Sequence, residues 1–87
     1  MSAESPLKFP CDFPLKVMGR HNDEFRSVAL GIVHKHVEPD ALISIEERPS
    51  RDAKYLGLTY NIKARSREQL DALYAELTAC GAVLVVL

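Results

Sequence analysis

From residue 12 onward the chain alternates. Phe13, Leu15 and Val17 interleave with Pro14, Lys16 and Met18, a period of two that predicts a strand. Pro14 is tolerable near its start, because the first residues of a strand need not all donate to the ladder. Gly19 ends this strand, and a loop runs through Arg20 and His21. Asn22 then suits a helix N-cap, with Asp23 and Glu24 in the first turn, where the helix dipole favours acids. Phe25, Val28, Ala29, Ile32, Val33 and His36 follow at helical spacing. Pro39 prevents continuation. Ala41 to Arg48 predicts a second strand, with Ile43 and Ile45 pointing one way and Ser44 and Glu46 the other.

After a loop of hairpin length, Lys54 to Ala64 predicts the third and longest strand. Leu56, Leu58, Tyr60 and Ile62 share one face; Tyr55, Gly57, Thr59, Asn61 and Lys63 share the other. Ser66 and Gln69 form the S-x-x-Q pattern of a capping box, and Leu70, Leu73, Tyr74 and Leu77 continue a helical stripe. Gly81 is a natural residue to follow that helix, and Ala82 to Leu87 predicts a last strand.

The order is strand, helix, strand, strand, helix, strand. It predicts an α+β, ferredoxin-like βαββαβ fold: a four-stranded antiparallel sheet with two helices on one face. Residues 1–11 are expected to be a flexible tail and residues 12–87 a single domain. The first and third strands should be central. Phe13, Leu15, Val17, Ile43, Ile45, Leu58, Tyr60 and Ile62 should face the helices. The other face should be open, with Leu84 and Val86 beside Met18 if Val83 and Val85 point inward.

Composition narrows the classes. The chain has 87 residues, 47% hydrophobic and 26% charged, which is globular rather than disordered. Its formal charge of −1 provides no strong positive field, so nonspecific nucleic-acid binding is not expected. Its longest apolar run, Ala82 to Leu87, is far short of the ~20 residues of a membrane span. No basic segment followed by an apolar core opens the chain, which points to a cytoplasmic protein. Cys11 and Cys80 do not make a disulfide framework.

Candidate chemistry is sparse. His34 and His36 stand about 200° apart on a helix and cannot share a metal there. No C-x-x-C and no H-E-x-x-H occurs, so no metal or cofactor is expected. Cys80 lies at a helix C-terminus, which does not activate a thiol. No nucleophile motif is present, and no catalytic residue is assigned. RNA-recognition motifs share this fold, but here the two stacking aromatics of their third strand are replaced by Leu56 and Leu58. Gly19 either serves the turn alone or also exposes amides at a helix N-terminus that could hold an anion.

The run Phe13-Pro14-Leu15-Lys16-Val17-Met18-Gly19 resembles the first-strand signature of the YbeD-like family, small uncharacterised bacterial proteins. The His34 to His36 helix end, Asn61-Ile62-x-Ala64, Leu73-Tyr74-x-Glu76-Leu77 and the closing Val86-Leu87 agree with it. The resemblance implies a cytoplasmic protein with a fold like that of ACT-type regulatory domains. Such domains bind amino acids near the loop after the first strand, and Gly19 matches their loop glycine. The Asp-x-Pro-Gly of that pattern is absent; Met18-Gly19-Arg20-His21-Asn22 stands in its place.

The sequence thus suggests a regulatory or protein-interaction domain rather than an enzyme. It would act through its open sheet face or last strand, with Met18, Leu84 and Val86 as the contact surface. The partner would be another protein or a second copy in a weak homodimer. The alternative is a sensor of an amino acid or organic acid at Gly19, Arg20 and Asn22. RNA binding ranks below both.

Overall fold

The computed structural model describes residues 8–87. Strand β1 (Cys11–Arg20) is followed by helix α1 (Asp23–His36), a short 3-10 turn (Pro39–Ala41), strand β2 (Leu42–Pro49), strand β3 (Tyr55–Ala64), helix α2 (Arg67–Ala79) and strand β4 (Val83–Val86). The strands lie in the order β2-β3-β1-β4, with every neighbouring pair antiparallel. This is the ferredoxin-like α+β arrangement, with β1 and β3 at the centre.

Local signals set the helix starts. The Asn22 side chain accepts from the Phe25 amide, and the Ser66 hydroxyl accepts from the Gln69 amide at 3.1 Å. The Gln69 side chain returns to accept from the Arg65 amide at 2.6 Å and donates to the His36 carbonyl at 2.8 Å. One buried glutamine therefore ties the start of α2 to the end of α1. Glu76 completes the clamp by accepting from His36 at 2.7 Å and pairing with Lys35.

The core lies between the sheet and the helices. Leu15, Val17, Leu56, Leu58, Tyr60 and Ile62 are buried from the sheet; Phe25, Ala29, Val33, Leu73 and Leu77 meet them from the helices. In β3 the alternation is complete, because every even-numbered residue from Leu56 to Ala64 is buried. Burial pushes the Tyr60 hydroxyl up to about 12, with the charge of Glu47 adding to the effect.

Four expectations need correction. Ile43 and Ile45 are not covered: they remain 54% and 43% exposed. A bulge between Leu42 and Ser44 takes Ile43 out of the pairing. Ile45 sits opposite Tyr60, on the helix side, but at a sheet edge that the helices do not cover. Gly19 does not turn the chain with a positive φ and does not end the strand, which runs on to Arg20. Gly81 is not a left-handed helix stop either; α2 ends at an extended Cys80. In β4 a bulge opposite Met18 and Gly19 shifts the alternation by one residue, so Val85, not Val86, pairs with Met18.

The tail expected over 1–11 falls mostly outside the described residues, and β1 opens at Cys11. Phe9 packs partly against the core. It precedes β1 at the Cys11 end, whereas β4 pairs with the other end of that strand.

Candidate functional site

Two surfaces are left once the core is closed: the open face of the sheet and the loop after β1. Strand register arranges the open face in rows. Lys16, Thr59 and Glu46 form one row across β1, β3 and β2. Met18, Gly57 and Arg48 form the next, with Val85 of β4 beside Met18. Arg20 and Tyr55 form the last. Gly57 presents no side chain, so the centre of the face is low. A hollow of about 700 Å³ lies there, lined by Lys16, Met18, Arg48, Tyr55, Thr59 and Leu87 among others.

The polar groups around it divide into two kinds. Asn61 donates to Ser44 at 3.0 Å and to Glu46 at 2.8 Å, so the Glu46 carboxylate is engaged. Glu47 accepts from Arg26 of α1 at 3.1 Å. The resulting bond holds the Arg26 guanidinium above its ordinary pKa. Lys16 and Arg48 form no ion pair among the described residues.

The β4 edge is apolar. Met18 is 38%, Leu84 50%, Val85 43% and Leu87 66% exposed. The Leu87 amide donates to the Lys16 carbonyl at 2.8 Å, extending the pairing by one residue, and the Tyr74 hydroxyl donates to the Leu87 carbonyl at 2.9 Å. Val86 differs from expectation. It sits opposite Val17, is half-buried, and packs against the core rather than joining Met18 outside. Val85 and Leu87 take the place expected for it. Only a bulge could reveal this, and a run of four apolar residues shows no sign of one.

The loop after β1 is already hydrogen-bonded. The His21 amide donates to the Lys54 carbonyl at 3.0 Å, and the Asn22 amide to the Arg20 carbonyl at 2.8 Å. The Asn22 side chain caps α1 by accepting from Phe25. Gly19 is required for a different reason than a turn. A Cβ there would lie 2.6 Å from Phe25 Cε1 and 2.7 Å from the Ala82 carbonyl oxygen, far inside contact distance. The glycine lets the Phe25 ring pack directly on β1. A groove of about 450 Å³ remains beside the loop, lined by Arg20, Asn22, Phe25, Gly81 and Leu84 among others. The structure thus places Arg20, Asn22 and Leu84 on one groove, and Met18 on the neighbouring face.

Other chemistry finds no assembly. Among the described residues no group of three His, Cys, Asp or Glu side chains could hold a metal. Among them, too, no helix is long and apolar enough to cross a membrane. Leu56 and Leu58, where RNA-recognition motifs place stacking aromatics, are buried beneath the helices.

The architecture has close relatives in sequence. A UPF0250 protein of Ralstonia nicotianae is 46% identical over 84 residues, spanning 97% of this chain and 87% of the relative. One from Paraburkholderia phytofirmans is 43% identical over 84 residues, spanning 97% and 94%. One from Bordetella pertussis is 43% identical over 84 residues, spanning 97% and 92%. No solved structure matches. A family model described as "Protein of unknown function (DUF493)" covers residues 4–87. With near-complete coverage by that model and by these relatives, the chain belongs to the DUF493 family, the UPF0250 or YbeD-like proteins.

Proposed function

We propose that this domain is a protein-interaction or regulatory module, and that it works through the open sheet face and the β4 edge. The observation that carries the reading is the exposure of Met18, Val85 and Leu87 on the open face, with Leu84 exposed at the bulge of the β4 edge. Edge strands are normally blunted by short length, charge, proline or a bulge, because an uncovered edge pairs with other chains. β4 carries neither charge nor proline, but it is four residues long and bulged, so the reading rests on its exposed side chains rather than on its backbone edge. Full burial of one such side chain is worth roughly 1.5–3 kcal/mol, and these four are already about half covered, so the contact supports a weak association rather than a tight one. The partner is another protein or a second copy of the chain, met in the cytoplasm.

Sedimentation over a range of concentrations, with capture of partners in parallel, tests this reading. Leu84→Lys should weaken the association without unfolding the domain. A strict monomer that recovers no partner would refute it.

A second reading rests on the groove beside Arg20 and Asn22. There an ACT-like sensor would hold the carboxylate of an amino acid or organic acid, with Arg20 supplying charge. Amide shifts from Gly19 to Glu24 on addition of millimolar amino acids would support it; unmoved resonances would exclude it. The engaged Asn22 side chain and the acids Asp23 and Glu24 in the first turn weigh against it.

A further inference from the structure

Two neighbouring rows of the open face complement each other strand by strand. From β2 to β4 the first row reads Glu46, Thr59, Lys16 and Leu87; the second reads Arg48, Gly57, Met18 and Val85. On β2 the two rows offer an acid and a base. On β3 they offer a side chain and a vacancy. On β4 they offer two apolar residues, Leu87 at 66% and Val85 at 43% exposed. Both β2 charges are open to a partner. Asn61 donates to one oxygen of the Glu46 carboxylate, which leaves the other able to accept. Arg48 forms no ion pair among the described residues. The vacancy is not forced by packing within the chain. A Cβ on Gly57 would meet only the Arg48 carbonyl oxygen, at an ordinary 3.5 Å. Glycine weakens strand interiors, so its place on a central strand suits something packed from outside.

We infer that the open face packs against the same face of a second copy, about a two-fold axis that crosses the strands between these two rows. Such an axis lays each row over the other row of the second copy, strand over strand and antiparallel. Glu46 then meets the second copy's Arg48, and Arg48 meets its Glu46. Thr59 enters the vacancy over the second copy's Gly57. The aliphatic stem of Lys16 lies along Met18, and Leu87 meets Val85. No residue of either row faces a like charge. This is the reciprocity an isologous contact requires: residue i meets j, and j meets i. Sheets pack face to face with their strands within about 30° of one another, and twist parts the corners. The inference rests on the interaction reading above and names the second copy as its partner. Charge selects that occupant. A wholly acidic or wholly basic surface would pair one of Glu46 and Arg48 and repel the other, whereas a second copy pairs both. Size sets the strength. Four strands at ~4.8 Å spacing and ten residues long at ~3.3 Å each give a face of roughly 600 Å². A stable interface buries about 800 Å² per partner, so this dimer is weak.

The test uses the full chain and a pair of charge-reversed variants, followed by sedimentation and by amide shifts up to millimolar concentration. The parent should form a weak dimer that loosens as salt is raised. Glu46→Arg and Arg48→Glu should each weaken it about tenfold or more, because each sets like charges against one another twice. An equimolar mixture of the two variants should associate again as the parent does, since each supplies the charge the other lacks. Glu46→Gln with Arg48→Gln, which introduces no repulsion, should weaken the dimer and remove its salt dependence. Gly57→Val should weaken it by excluding Thr59, while melting no lower than the parent. In a mixed-label sample, isotope-filtered NOEs should join the Thr59 methyl of one copy to the Gly57 α-protons of the other. Association that survives either charge reversal, a mixture that stays monomeric, or unchanged association by Gly57→Val would overturn the inference. A parent chain that remains a monomer at millimolar concentration would also overturn it. If that monomer still captures another protein through Met18, Val85 and Leu87, the second copy is refuted and the interaction reading stands.

Discussion

Two glycines on neighbouring strands divide the molecule into its two faces. Gly19 points toward the helices, where the Phe25 ring and the Ala82 carbonyl occupy the space a side chain would need. Gly57 points the other way, into open space bounded by one carbonyl at 3.5 Å. The first absence is structural and closes the core. The second leaves room that nothing in the fold requires. The same contrast holds for charge. Behind the sheet, Glu76 serves Lys35 and His36, and Gln69 ties two helices together. On the open face, Lys16 and Arg48 are left without ion-pair partners among the described residues. The open face is the surface that the proposed interaction would use.

The largest test removes the ring that makes Gly19 necessary. Phe25→Ala empties a fully buried site and should cost about 3–5 kcal/mol in denaturant melts. A loss below 1 kcal/mol would mean that Phe25 does not close the core over Gly19. The helix clamp comes next. Gln69→Leu leaves the Arg65 amide and the His36 carbonyl without their side-chain partner, at about 1–3 kcal/mol if both stay dry. An unchanged melt would show that water replaces the glutamine.

Two pH effects are smaller. The bonds from Lys35 and then His36 hold the Glu76 carboxyl below its ordinary range. A lowered folded-state pKa contributes stability that is complete above the unfolded value and lost as pH falls through the folded one. The wild-type chain should therefore lose stability to acid below about pH 4.3, and Glu76→Gln should flatten that part of the curve. At the other extreme, Tyr60 is pushed up to about 12 by burial. A raised folded-state pKa gives the opposite sign: stability is intact below about pH 10 and declines from there toward the folded value. Absorbance titration should show one tyrosine ionising only near that upper limit, or together with unfolding. Tyr60→Phe, melted across the same range, should remove that decline.

Much of this was legible in the chain. The alternation in β3 is strict enough to name both faces residue by residue, and the Asn22 and Ser66 caps mark helix starts that the structure keeps. What failed did so for two physical reasons. Bulges at Leu42/Ser44 and at Met18/Gly19 add one residue without changing the local pattern, so Ile43 and Val86 took places the alternation could not assign. The role of Gly19 depends on Phe25 and Ala82, the latter far along the chain, and a glycine next to a loop reads as a turn. The site residues were legible only in part. Met18 and Leu84 are exposed as expected, whereas Val85, Arg48 and Gly57 gain meaning only from register across strands.

The contrast between the two glycines is most directly tested by making Gly19→Ala and Gly57→Ala side by side and melting both in denaturant. Overpacking against Phe25 should cost Gly19→Ala about 1–3 kcal/mol. Gly57→Ala should match the parent or exceed it by a few tenths of a kcal/mol, since alanine restricts the unfolded chain more than glycine does. Equal losses at both positions would mean that the open face is packed as tightly as the core, and the account of a vacant partner surface would be wrong.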